Sequence, residues 1–180
     1  LFQGTAGVTE IAVLSAAAIE AELEALAELL WDSVDGGASV TFLQPFSRDE
    51  ARQFWRKIAA IAGPDDRIVL VARGEDGGIV GSVQLQLAHE PNQHHRAEVL
   101  KLLVHRRARR GGIGRALMMA IEARARAAGR TLLTLDTRAG DAAETLYRGI
   151  GYRLAGTIPR YAFSHDGSFH DAAILYKHLD

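Results

Sequence analysis

Leu102–Met119 reads LLVHRRARRGGIGRALMM, and its character changes twice along the way. An apolar strand closes at Val104. A short basic loop follows, then Gly-Gly-Ile-Gly, then a helix with Ile113, Ala116, Leu117, Ala120 and Ile121 on one face. The glycines strip side chains from the helix's first turn and leave bare the amides of Gly111, Gly112, Gly114 and Arg115. Such a helix start attracts an anion, above all a phosphate, and the adjacent arginines add charge that a pyrophosphate would use. By charge alone, Arg106, Arg107, Arg109 and Arg110 read first as a solvated basic turn and only weakly as a nucleic-acid patch. The strand–loop–glycine–helix setting is what favours the anion cradle. The glycine spacing is not G-x-G-x-x-G, and no Gly-Lys-Ser/Thr closes the loop, so neither a dinucleotide fingerprint nor a Walker loop is present.

The same reading extends in both directions. Ala97–Val104 is a strand, Gly112–Ala128 a helix and Thr131–Asp136 a strand, a βαβ unit whose strands should be parallel neighbours. Upstream, Thr9–Leu14 reads as a strand and Ser15–Val34 as one helix capped by Ser15. Ser47–Ala62 is a helix with a Ser47/Glu50 capping box. Arg67–Arg73 and Ile79–Ala88 form a hairpin around Glu75-Asp76-Gly77-Gly78. Downstream, Asp141–Gly149 reads as a short helix with Asp141 and Glu144 as a second capping box, and Tyr152–Tyr161 and Ala172–Leu179 as closing strands. This order predicts one α/β domain with a mixed, mostly antiparallel sheet, a parallel βαβ core and flanking helices.

Composition agrees with one domain. The chain has 180 residues, 48% hydrophobic and 24% charged, ordinary globular values. Its 21 Lys+Arg against 22 Asp+Glu provide no global basic field for nucleic acid or an anionic membrane. No cysteine is present, which excludes a thiolate zinc site and a Cys nucleophile, and no apolar run approaches membrane-span length. His94-His95 lacks the helical spacing or cysteine company of a metal site, so no metal is expected. A cytoplasmic setting fits. Leu1-Phe2-Gln3-Gly4 matches the remnant of a viral 3C-protease tag site. With Thr5 it is set aside, leaving 6–180 as the domain.

Arg109-Arg110-Gly111-Gly112-Ile113-Gly114 resembles the R/Q-x-x-G-x-G/A signature of the GNAT superfamily of N-acetyltransferases. Leu146-Tyr147-Arg148-Gly149-Ile150-Gly151-Tyr152 is similar to its second motif, commonly LYxKxGF. The resemblance implies acetyl-CoA as cosubstrate, with the pyrophosphate held by Arg109, Arg110, Gly111, Gly112, Ile113, Gly114 and Arg115. It also implies a pantetheine arm laid along Leu102, Leu103 and Val104. Arg106 stands where relatives often have proline, Arg110 where they often have glycine, and Asp141 where they commonly have asparagine; Asp141 reads as a helix cap.

Acyl transfer to an amine needs a proton acceptor for the amine and a donor for the leaving thiolate. Tyr147 is placed by the motif as the donor; without the motif it reads as a packing tyrosine beside Leu146 and Ile150. Glu98 is the base candidate near the start of the central strand. Alternation puts Leu100, Leu102 and Val104 on its face and Lys101 on the other. Asp136 ends the next strand facing with Thr134, at the edge where ligands of parallel strands bind. Were Glu98 and Asp136 to share a cavity, they would attract a cationic amine. Glu98, Asp136 and Tyr147 look like the set of the tabtoxin-resistance acetyltransferase branch, and Gly156–Ala162 with Asp166-Gly167 and Tyr176-Lys177 is similar to it too. The expected activity is direct acetyl transfer, in a ternary complex, to the primary amine of a small amino-acid-like molecule, toxin or antibiotic. The chain is expected as a monomer or homodimer. A non-catalytic acyl-CoA-binding module and a protein lysine or N-terminal acetyltransferase are the alternatives. His105, His165 and His170 read as polar loop surface, the last two on a hairpin that borders acceptor pockets in relatives. Trp31, Phe42, Phe46, Phe54 and Trp55 read as core, with one or two free to line a pocket.

Overall fold

A computed structural model describes residues 10–38 and 40–179. The tag-like residues 1–5 and the predicted strand start at Thr9 lie outside them. Seven strands, β1 (Glu10–Leu14), β2 (Arg67–Arg73), β3 (Ile79–Leu87), β4 (Arg96–Val104), β5 (Leu132–Arg138), β6 (Arg153–Phe163) and β7 (Phe169–His178), form one sheet in the order β1-β2-β3-β4-β5-β7-β6. Helices α1 (Ala16–Ala21), α2 (Leu23–Asp35) and α3 (Arg48–Ala59) cover one face, and α4 (Ile113–Ala127) and α5 (Ala142–Gly149) the other. Only β4 and β5 are parallel. They pair through Arg96–Leu132, Ala97–Leu133 and Glu98–Thr134 and then separate.

The helix predicted over 15–34 is broken at Glu22, whose φ of −105° and ψ of 20° end α1 and begin α2. The Glu22 carboxylate is held in a two-point ion pair by Arg73 on β2, which anchors the break to the sheet. The Ser47–Glu50 capping box forms in full. The second box does not. Asp141 makes no side-chain cap bond, and Glu144 accepts instead from the Gly140 N–H, 2.8 Å away, and from Arg148.

Helix α4 packs on β3 and β4 through Ile113, Leu117, Met118, Ile121 and Ala125, all buried. Each large apolar side chain so removed from water contributes about 1.5–3 kcal/mol. The contact is close enough to require glycine at Gly81, where an added Cβ would lie 3.0 Å from the Leu103 carbonyl and 3.0 Å from Leu117 Cδ1. Glu122, buried on the same helix, pairs with Lys177 at 2.8 Å, and Lys177 also donates to the Ile150 carbonyl, tying α4, β7 and the end of α5 together. No helix among the described residues is long and apolar enough to cross a membrane.

Candidate active site

The separation of β4 from β5 leaves two kinds of surface around one opening. On the α4 side stands the glycine loop. After β4 the chain makes a short 3-10 turn at Arg106–Ala108, then passes Arg110 at φ 66° and Gly112 at φ 80° before entering α4. Gly112, in the left-handed region that glycine occupies without strain, caps α4 with no side chain. The first-turn amides are therefore left for a ligand. Gly114 keeps this helix start tight against its neighbours: a Cβ there would sit 3.2 Å from Leu146 Cδ2 and 3.8 Å from Val104 Cγ2.

The arginines divide by role. Arg106 turns away from the cradle to α2. Its backbone N–H donates to Asp32 Oδ2 and its Nε to Asp32 Oδ1, each at 2.8 Å, and its Nη2 reaches Asp35. Asp32 is buried; burial pushes its carboxyl up, but the bonds from Arg106 and the nearby His105 hold it below the usual aspartate value. Arg107 faces Asp76 at 3.6 Å. Arg109 donates through Nε to the Val104 carbonyl, 3.1 Å away. Among the described residues, Arg109, Arg110 and Arg115 have no carboxylate within ion-pair distance, so their charge stands beside the open amides. The cradle thus has the chemistry of a diphosphate site.

The other surface lies on the α1–α3 face. Lys101 sits at φ 51°, and the β3–β4 register jumps here from Gln84–Leu100 to Ser82–Leu103. The extra residue reverses the alternation beyond it. Leu102 and Val104 turn to the α4 core, and Lys101 turns to the face of Glu98. This overturns the expectation that Lys101 points away from Glu98 and that Leu102 and Val104 share its face. Lys101 Nζ donates to Thr41 Oγ1 at 2.8 Å and lies 5.8 Å from the centre of the Phe42 ring. Burial pulls its ammonium below the usual lysine range, against Asp136 and Glu98, which favour the charge.

Asp136 opens into a cavity of about 330 Å³ between the loop after α2, β5 and the β6–β7 hairpin. Thr41, Phe42, Arg138, Ser164, His165 and His170 are among its walls. Glu98 stands opposite Thr134, two residues short of Asp136 on the same face of the sheet. It borders a second cavity of about 220 Å³ with Gln86, His89 and Arg96, and the field of Arg67 reaches it. The two carboxylates are therefore not brought into one described cavity. Tyr147 is buried at the other side of the opening, its ring 5.8 Å from that of Tyr152. Burial first, and then the charge of Asp136, raise its phenol above the ordinary value, so it stays protonated.

Phe42 is the predicted aromatic that lines the cavity, while Trp55 is fully buried and Phe54 bridges them through ring contacts. Both hairpin histidines reach the cavity wall. Lys101 and Arg138 were missed. Arg138 was legible, since alternation along β5 puts it on Asp136's face; the bulge that places Lys101 leaves no such trace. No group of metal-binding side chains is found among the described residues.

The model of the Acetyltransferase (GNAT) family matches residues 23–152. The chain belongs to that family. A curated relative of this GNAT enzyme, an uncharacterized N-acetyltransferase encoded in the hisH-hisA intergenic region of Azospirillum brasilense, is 33% identical over 119 residues, 65% of this chain and 68% of the relative. Among solved structures, a phosphinothricin acetyltransferase from Sinorhizobium meliloti in complex with acetyl-CoA superposes with a TM-score of 0.78 at 22% identity, covering 94% of this chain and 88% of the other. A ribosomal-protein-alanine N-acetyltransferase from Brucella melitensis gives 0.76 at 25% identity, covering 94% and 99%. The fold of this GNAT enzyme, with its seven-stranded mixed sheet, is the fold of these structures.

Proposed function

We propose that this GNAT enzyme transfers the acetyl group of acetyl-CoA directly to the primary amine of a small, amino-acid-like molecule. Acetyl-CoA is the cosubstrate. The observation that carries the reading is the placement of two unlike sites on opposite walls of the β4–β5 opening: an anion cradle at the start of α4 and an acid-bearing cavity beneath the β6–β7 hairpin. A cavity of about 330 Å³ is of small-molecule size.

Each residue has a defined task in this reading. The amides at the start of α4, with Arg110 and Arg115, hold the diphosphate. The β4 edge facing β5, unpaired beyond Glu98, offers backbone groups to the pantetheine arm. Asp136 draws the ammonium into the cavity. Asp136 takes one ammonium proton, and the neutral nitrogen so freed attacks the thioester carbonyl. The C–S bond breaks, and the departing thiolate takes the phenolic proton of Tyr147. The proton that nitrogen sheds after attack restores the Tyr147 phenol once it has protonated sulfur. Lys101 lies in the fields of both Asp136 and Glu98. With no cysteine in the chain, direct transfer in a ternary complex requires no covalent acetyl-enzyme.

The test is thiol release from acetyl-CoA across a panel of amines that includes amino acids and an alanine-ended peptide. One acceptor class should release thiol selectively, and Tyr147→Phe should lower kcat about 10²–10⁴-fold while the acetyl-CoA KM holds. Unchanged turnover in Tyr147→Phe would remove the phenol from the chemistry. Selective turnover of the peptide would replace the small-molecule reading with a protein one.

A further inference from the structure

The cavity beside Asp136 carries a cation that the acetyl-transfer steps do not use. Arg138 lies two residues beyond Asp136 on the same face of β5, one pleat further from the point where β4 and β5 part, about 6.7 Å along the strand. Its Nη2 donates to Ser164 Oγ at 2.9 Å, and Ser164 Oγ is in turn 3.3 Å from His170 Nδ1. A guanidinium has five N–H donors, and this bond uses one. Among the described residues no carboxylate lies within ion-pair distance of Arg138, although other arginines of the chain, such as Arg52, Arg73, Arg106 and Arg148, are paired. The guanidinium is half-buried and faces a cavity that also holds an acid, so the cavity is dipolar: negative toward the point where β4 and β5 part, positive toward the hairpin.

Resting on the acetyl-transfer reading above, the geometry points to Arg138 as the acceptor's carboxylate subsite. The acceptor class is then an amine that also bears a carboxylate, its ammonium end at Asp136 and its carboxylate received by the Arg138 fork, which Ser164 holds in place. A planar guanidinium meets a carboxylate through two parallel N–H bonds, which a carboxamide of the same shape cannot match. The order of the two charges along β5 sets the direction of binding, because only the amine-inward pose places nitrogen at the opening where the thioester arrives.

Two measurements on the full chain test the subsite. In the first, thiol release is followed with matched amino acids and amino-acid amides. Wild type is expected to favour the acids at least tenfold in kcat/KM. Arg138→Gln should erase that preference by lowering the acids' values, with the amides' values and the acetyl-CoA KM within twofold of wild type. Arg138→Lys, which keeps a point charge without the fork, should recover part of it. A preference that survives in Arg138→Gln, or a wild type that favours amides, overturns the assignment. The second measurement needs no turnover. Millimolar N-acetylated amino acids, with coenzyme A present, should raise the melting temperature of wild type more than their amides do, and Arg138→Gln should lose that difference; Ser164→Ala should reduce it. No difference in wild type overturns the subsite. Thiol release from no amine at all, with the melting difference intact, would instead overturn the acetyl-transfer reading and leave the subsite standing.

Discussion

Replacing Asp32 with alanine should loosen the cosubstrate loop from α2. Asp32 is 4% exposed, and its two oxygens take the backbone N–H and the Nε of Arg106, each at 2.8 Å. Loss of the charge-assisted bond to the backbone N–H costs about 1.5–3 kcal/mol. The guanidinium end is 44% exposed, so water screens it and it adds little. In a chain of this length each kcal/mol moves the melting temperature by about 2–4 °C, so Asp32→Ala should melt roughly 3–12 °C below wild type by calorimetry. The loop it releases begins the anion cradle. If half of the lost anchoring must be restored when acetyl-CoA binds, affinity for coenzyme A by titration calorimetry should fall about threefold to tenfold. Asp35→Ala, which removes only the solvent-side contact of Arg106, serves as the control and should leave both quantities close to wild type. An Asp32→Ala protein with unaltered melting and unaltered coenzyme affinity would refute the claim that α2 braces the loop.

Two other substitutions probe packing and charge. At Gly114 the nearest atom to an added Cβ is the tip of the Leu146 side chain, which can yield; Gly114→Ala should therefore melt close to wild type, whereas Gly114→Val should lose about 1–3 kcal/mol, and equal melting of the two would contradict the crowding. Lys101 is held below the usual lysine value, so the native state disfavours its charge: the penalty acts in full below the folded pKa and is released as pH rises from there toward 10.5. Lys101→Met should accordingly melt above wild type near pH 7, with the gap narrowing in thermal scans toward pH 10; a gap that widens would reverse the sign of the argument.

The features legible in the sequence are those made by residues that are neighbours in the chain. The cradle is such a feature, because strand end, glycines and helix start are contiguous, and local backbone preferences fix it. Tyr147 and Asp136 follow from helix and strand periodicity around recognisable motifs. The latch between Asp32 and Arg106 spans 74 residues and depends on how α2 crosses the end of β4, which no local pattern encodes. The break at Glu22 is settled by Arg73 on a distant strand, so a continuous helical pattern conceals it. At Asp141 the residue type was right for a cap, yet Glu144 satisfies the Gly140 N–H, and the cap bond is not made. That Glu98 and Asp136 border different cavities likewise depends on where β4 and β5 part, a property of the sheet as a whole.

The irregular residue at Lys101 lets a single strand serve two masters. Upstream of it, β4 turns Glu98 to the α1–α3 face; downstream, Leu102 and Val104 belong to the floor beneath α4. Substitution at position 98 or 101 therefore alters one face of the sheet without disturbing the packing beneath α4. Were Lys101 to take a regular place in the strand instead of bulging, alternation would turn Leu102 and Val104 to the face of Glu98 and a cation into the core under α4, so the irregularity here is under tighter constraint than most of the strand's side chains.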